Sequence, residues 1–202
     1  MDSRFLIIAH VGDHSQHASW RQGEKPQFDL FINYAGKTAE KYKNDGTFYE
    51  HAQGDKWPAL AALLENYWEL ISTYDAVWFP SDGLQITSTD INRLFHLFDG
   101  HQLALAEPSL DKTLHPASLM RFVSGIGAIA PLFSRDNLAQ QKTNFALDHD
   151  NNQRALAWCE QTPNTKRNQI AIIDAVSTID LSANADQNLQ PAVELYGQYT
   201  FQ

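Results

Sequence analysis

Short apolar runs alternate with amphipathic stretches along the chain. Runs at residues 5–9, 28–34, 76–79, 102–106 and 169–176 are apolar, and each is short enough for a buried strand. Glycine, proline or a polar stretch follows each run, which predicts that the strand ends there. The pattern therefore predicts several buried strands separated by longer connections.

Two amphipathic segments predict helices. The first covers residues 55–72, with Asp55 as its N-cap, and the second begins at Thr87 or Ser88 and ends at Gly100. The apolar residues of the first helix fall on one face: Leu60, Leu63, Leu64, Tyr67, Trp68 and Ile71. We expect that face to pack on the sheet.

The remaining segments have weaker patterns. Residues 37–54 are polar and predict an irregular segment without a helix of its own, and residues 122–133 fit either a strand with a bulge or a broken helix. A helix is predicted near 151–160. The strand at 169–176 is predicted to be the last one, and part of the tail from about 182 is expected to be irregular.

Strands that alternate with helices are typical of an α/β fold with a mainly parallel central sheet flanked by helices. The 202 residues fit one domain that spans 1–202. With 43% hydrophobic residues, the chain has enough apolar side chains for a core.

The net charge and the cysteine content limit the kinds of partner and the compartment that we expect for this protein. The net charge of −9 argues against nucleic acid and against anionic membrane surfaces. A single cysteine excludes an intrachain disulfide framework, and the first apolar run is too short for a membrane span or a signal segment. We therefore expect a cytoplasmic protein without membrane insertion, and a homo-oligomer stays open.

Asp82 is the leading candidate for chemistry. It comes just after the strand at 76–79, which Pro80 ends, and ligands of α/β folds bind at the carboxyl ends of strands. Asp82 could hold Mg²⁺ or Mn²⁺ that bridges a nucleotide diphosphate. Alternatively, Asp82-Gly83 is an ordinary turn pair.

Four further residues form a group after the first strand: His10, Asp13, His14 and His17. Imidazole suits transition metals, so a metallohydrolase is one hypothesis, and a histidine-rich surface loop is the other.

Lys56 and Asp174 are the other candidates. Lys56 begins the first helix, where it could reach a phosphate or simply face solvent beside Trp57. Asp174, at the end of the strand at 169–176, could contact a ligand or cap a turn.

Residues 74–84, which read Tyr-Asp-Ala-Val-Trp-Phe-Pro-Ser-Asp-Gly-Leu, resemble a stretch of the DUF707 family of uncharacterised proteins. That family looks like GT-A-type glycosyltransferases, which use a nucleotide-sugar donor. The other similar segments lie at 28–34, 56–57, 91–95, 103–110, 130–133 and 172–176. The resemblance implies a nucleotide sugar and a carbohydrate acceptor as partners and a divalent cation as cofactor.

The resemblance also implies roles for individual residues. Asp82 would hold the cation, Lys56 would approach phosphate, and Asp174 would sit near the donor or acceptor sugar. The loop at 10–14, with Val11 and Gly12, would contact the base or ribose together with Tyr34.

The chain departs from the family pattern at several polar positions. Ser81 and Gly83 stand where the family has acids, and Gly127 stands where it has a glutamate. Residues 179–181 read Ile-Asp-Leu where the family has His-Thr-Arg, and the region 112–121 is shortened. The acid motif is therefore degenerate, and a non-catalytic nucleotide- or carbohydrate-binding module of the same fold is the alternative to a glycosyltransferase.

Overall fold

The computed structural model describes residues 4–110, 117–163, 167–181 and 194–200, and its centre is a nine-stranded sheet. In spatial order the strands are β11 (Leu195–Thr200), β7 (Ser118–Val123), β9 (Ile170–Ser177), β6 (Leu105–Ser109), β8 (Leu132–Ser134), β4 (Ala76–Trp78), β1 (Phe5–Val11), β2 (Asp29–Tyr34) and β3 (Phe48–His51). The ladders make β7 and β8 antiparallel to the other strands, so seven of these nine strands run in one direction. The predicted mainly parallel α/β sheet is confirmed.

β1 lies inside the sheet and is covered on both faces. Ile7 and Ala9 pack into one apolar cluster, whereas Leu6 and Ile8 pack into another on the opposite face. A strand buried on both faces has a continuous apolar run instead of an alternating one, as the sequence of β1 does.

Helices cover the two faces. α3 (Ser88–Gly100) packs on the face of Ile7, while α1 (Lys56–Asn66) and α5 (Asn151–Gln161) pack on the face of Leu6. The shorter helices are α2 (Trp68–Ile71) and α4 (Arg135–Gln141). The helix predicted over 55–72 is interrupted at Tyr67, whose φ of −116° and ψ of 18° are not helical.

Several sequence-based boundaries were wrong. The segment 37–54 contains β3, which pairs in parallel with β2, and the region 122–133 is the end of β7, a loop and β8. β9 is not the last strand, because β10 (Ile179–Asp180) and β11 follow it. The tail is therefore not irregular at 195–200, and residues 182–193 lie outside the described residues.

The strand predicted at 102–106 is β6, which begins later and includes Pro108. β8 pairs with β6 only at Leu105 and Ala106 among the described residues. Pro108 therefore lies where one side of β6 has no ladder with β8, which is where a strand tolerates proline.

The carboxyl edge of the parallel strands brings three segments together. The loops after β1 and β4 meet there, and α1 begins there after β3. A two-stranded sheet of β5 (Leu84–Gln85) and antiparallel β10 joins them. None of the helices in the described parts of the chain is long and apolar enough to cross a membrane.

Candidate functional site

Asp82 joins the loop after β4 to the loop after β1. The Gly12 backbone N–H donates to Asp82 Oδ2 at 2.9 Å, and the Gln16 N–H donates to the Asp82 carbonyl at 2.7 Å. The side chain of Ser15 also donates to that carbonyl, at 3.3 Å. Asp82 is therefore more than a turn residue, because its carboxylate and its carbonyl both bind the loop after β1.

Lys56, the first residue of α1, extends toward the same edge. Its Nζ lies 3.4 Å from the Pro80 carbonyl oxygen, to which it donates, and 4.6 Å from the centre of the Trp57 ring. Burial lowers the pKa of Lys56 to about 8, and the Asp82 and Asp180 carboxylates oppose that shift. A partly buried cation therefore lies close to two acids.

His10 is held in one tautomer by a row of side chains across three strands. His10 Nδ1 lies 2.6 Å from Asn33 Oδ1, and Asn33 Nδ2 donates to Glu50 Oε2 at 3.0 Å. A carboxylate only accepts, so the amide nitrogen of Asn33 faces Glu50 and its oxygen faces His10. His10 Nδ1 therefore carries the proton.

The pKa of His10 is lowered, chiefly by burial, and the Lys56 charge lowers it further. The hydrogen bond with Asn33 and the Asp82 carboxylate act in the opposite direction. The imidazole is therefore neutral near pH 7, so Lys56 supplies positive charge beside Asp82 and His10 does not.

Asp180 is a member of this group that our sequence analysis noted only as a departure from the family pattern. β10 pairs with β5 so that Asp180 is opposite Leu84, and the Leu181 N–H donates to the Gly83 carbonyl at 2.9 Å. This pairing connects segments almost one hundred residues apart, and no local sequence signal predicts it.

Val11 and Tyr34 were expected to contact a base or ribose, but the structure buries both side chains completely. The Tyr34 hydroxyl donates to Asp13 Oδ1 and accepts from the Thr38 N–H at 3.0 Å. The Tyr34 ring therefore supports the loop after β1 from the core and does not face the edge.

Asp174 was expected near a sugar, but both of its carboxylate oxygens bind Arg121. The Nε and Nη2 atoms of Arg121 each lie 2.9 Å from one of these oxygens, and the Asp174 side chain is only 2% exposed. This buried bidentate pair joins β9 to β7, and no described hydrogen bond connects Asp174 to Asp82.

The His10, Asp13, His14 and His17 group does not converge. His14 is exposed, whereas His17 is buried between Ser15 Oγ at 2.9 Å and Asp45 Oδ2 at 3.2 Å. Asp13 accepts from Tyr34 and from the Lys37 N–H, which lowers the pKa of its carboxyl to about 2. These four side chains therefore do not form the set of metal ligands that the metallohydrolase hypothesis requires.

The donors and charges around Asp82 determine whether a divalent cation could bind there. No group of three metal-binding side chains occurs within residues 4–110, 117–163, 167–181 and 194–200. One oxygen of Asp82 already accepts from Gly12, and the neighbouring Lys56 ammonium would repel a metal ion.

A cavity of about 660 Å³ lies at the opposite edge of the sheet. Arg4, Asp75 and Arg135 line it, and these residues stand at the amino ends of β1 and β4 and of helix α4. It contains none of the predicted site residues.

No family model matches the chain, and no curated protein matches it. The DUF707 resemblance is therefore not confirmed. Solved structures do match in fold.

TarS of S. aureus gives a TM-score of 0.54 at 10% identity, with 91% of this chain and 38% of TarS covered. TarS 1-349 in complex with UDP-GlcNAc gives 0.52 at 8% identity, with 87% and 57% covered. A protein of Desulfovibrio desulfuricans G20 that carries the name of a nucleotide-diphospho-sugar transferase gives 0.48 at 14% identity, with 84% and 79% covered. The chain thus spans less than two thirds of TarS, and it is similar to TarS in fold.

Proposed function

We propose that this protein binds a nucleotide sugar at the carboxyl edge of its sheet, around Gly12, Lys56 and Asp82. The observation that carries the proposal is the bond of 2.9 Å between the Gly12 N–H and Asp82 Oδ2, with the Lys56 ammonium held on the same loop by the Pro80 carbonyl at 3.4 Å. It lies where α/β folds bind ligands, and TarS, which has a similar fold, was crystallised with UDP-GlcNAc.

Each residue of this site has a part in the proposal. Lys56 attracts the phosphates, and the loop that begins at Gly12 lies beside the base and ribose. Asp82 holds that loop in position, because its carboxylate and carbonyl bind Gly12 and Gln16. Tyr34 supports the loop from below through Asp13.

Glycosyl transfer to a carbohydrate acceptor is the reaction class that the fold favours. In such a transfer the bond between the sugar's anomeric carbon and the diphosphate oxygen breaks, a bond between that carbon and the acceptor hydroxyl oxygen forms, and the hydroxyl proton passes to solvent. Binding without transfer is the second candidate. It is favoured by the single acid of the Ser81-Asp82-Gly83 segment, where the resemblance implies three.

Thermal unfolding with a panel of nucleotides tests binding. A ligand at 100 times its dissociation constant adds about 2.7 kcal/mol to the free energy of unfolding. We expect UDP, GDP, CDP or ADP to raise the melting temperature of the protein, and Asp82→Ala to remove that rise. Asp136→Ala is the matched control, because this exposed acid lies at the opposite edge of the sheet. The absence of any rise with all four nucleotides would refute the proposal.

A second experiment separates transfer from binding alone. The protein is incubated with UDP-GlcNAc and a set of oligosaccharides, and release of UDP is followed by NMR. Turnover that requires an oligosaccharide assigns transfer. Binding of UDP-GlcNAc without turnover assigns the non-catalytic role.

A further inference from the structure

The Lys56 ammonium donates to the Pro80 carbonyl, two residues before the carboxylate that the family resemblance assigns to a metal ion. We propose that the site binds the diphosphate of its nucleotide through Lys56 and without a divalent cation. This inference rests on the proposed function and concerns how the same site neutralises its ligand.

The loop after β4 has fewer carboxylates than the three-acid motif that the family resemblance implies. Ser81 and Gly83 carry no carboxylate, and Oδ2 of Asp82 accepts from Gly12 at 2.9 Å. Mg²⁺ is commonly held through one or two protein carboxylates together with substrate phosphates, so Asp82 would have to serve as the single loop acid with one oxygen already bonded. The second acid of the group, Asp180, belongs to a different segment, and Lys56 interacts with both acids.

The positive charge that a metal would supply is already part of the chain. Lys56 is held by the Pro80 carbonyl, two residues before Asp82, and by the face of Trp57. A fixed ammonium repels a cation and attracts a phosphate, so one side chain disfavours the metal and favours the ligand.

The groups that face Lys56 explain why its charge is available for a ligand. Asp82 and Asp180 stabilise the ammonium, whereas the neutral His10 brings no competing positive charge. The ammonium, which is a donor only, can donate to a phosphate oxygen of the ligand.

Calorimetric titration of UDP into the full chain tests the inference. The titration is run once in excess EDTA and once in excess MnCl₂. We expect equal affinities in the two buffers. Lys56→Met should weaken UDP binding at least about tenfold, the factor that corresponds to 1.4 kcal/mol. Lys56→Arg, which keeps a positive charge, should retain most of the affinity.

Lys142→Met is the matched control. Lys142 Nζ also lies over an indole ring, 4.2 Å from the centre of Trp68, but in a different part of the molecule from Asp82. It should leave UDP binding unchanged. Uridine, which has no phosphate, should distinguish contact with phosphate from general damage, because Lys56→Met should not alter its binding.

Three outcomes would overturn the inference. If UDP binds only with MnCl₂ and Asp82→Asn removes that dependence, the metal-free site is refuted while nucleotide binding stands. If Lys56→Met binds UDP as the wild type does, Lys56 does not hold the phosphates. If no nucleoside diphosphate of the panel binds in either buffer, the proposed function fails as well. The comparison of EDTA with MnCl₂ uses the unmodified chain and does not depend on the folding of a variant.

Discussion

Lys56 occupies a setting that disfavours its own charge. Burial lowers its pKa from an ordinary value of 10.5 to about 8, although Asp82 and Asp180 pull in the other direction. The folded state therefore holds this proton less tightly than the unfolded chain does. Residues that serve binding often lower the stability of the fold. A destabilising Lys56 at the carboxyl edge of the sheet is therefore expected if Lys56 binds a ligand.

This setting predicts that Lys56→Met stabilises the protein near neutral pH. A pKa that falls from 10.5 to about 8 corresponds to a few kcal/mol, so we expect a gain of about 1–3 kcal/mol. Because the folded pKa is below the unfolded one, the stability of the wild type should rise as the pH increases from about 8 to about 10. The Lys56→Met variant has no group that titrates at this position, so its stability should not show this rise.

Chemical denaturation of both proteins at pH 7 and at about pH 9.5 measures the effect. The difference between the free energies of unfolding of the two proteins cancels the contributions of groups that titrate in both. The exceptions are changes in Asp82, Asp180 and His10, which face Lys56. A Lys56→Met variant that is less stable than the wild type at pH 7 would contradict this explanation.

At the scale of elements, two helices begin with an aspartate in different ways. Asp150, the N-cap of α5, accepts from the Gln153 N–H at 2.8 Å, and the Gln153 side chain accepts from the Asp150 N–H at 3.2 Å. Asp55, the N-cap of α1, makes no side-chain cap bond. The same residue type therefore completes a capping box in one helix only.

We predict that Asp150→Ala lowers the free energy of unfolding by about 1 kcal/mol, because the Gln153 N–H loses its partner. Asp55→Ala should cost only a few tenths of a kcal/mol, from the loss of a negative charge near the helix N-terminus. Both residues are exposed, so the two variants form a matched pair whose unfolding is measured in urea. Equal losses for the two would contradict the assignment of the cap.

At the scale of the molecule, one sheet includes segments from both ends of the described chain. β11 pairs with β7, and β9 lies between β7 and β6 in the same sheet as β1. Apolar residues of α1 and α5, from different halves of the sequence, share one cluster. Neither half therefore has a core of its own.

We therefore predict a single cooperative unfolding transition. Far-ultraviolet circular dichroism and tryptophan fluorescence should give the same midpoint in urea, because helices and indole rings belong to one core. The buried Trp20, Trp78 and Trp158 report on both faces of the sheet. Separate midpoints for the two signals would indicate that a part of the sheet unfolds by itself.

Local patterns in the sequence determined the elements at the centre of the fold. β1, β2 and β4 are buried on both faces, and α3 and α5 have strong caps, so their apolar runs and polar boundaries could be read directly. The position of Asp82 just beyond β4 was predictable for the same reason, because a strand followed by proline ends there.

Only the tertiary structure decided the composition of the site. Asp180 reaches it by pairing with Leu84, and His10 obtains its tautomer from Asn33 and Glu50 on neighbouring strands. Such contacts depend on which strands are neighbours, and residues close in sequence carry no information about that. For the same reason Asp174, expected at a ligand, is paired with Arg121, and Tyr34 points into the core. The sequence by itself therefore determined where the edge of the sheet is, whereas the fold decided which charges meet there.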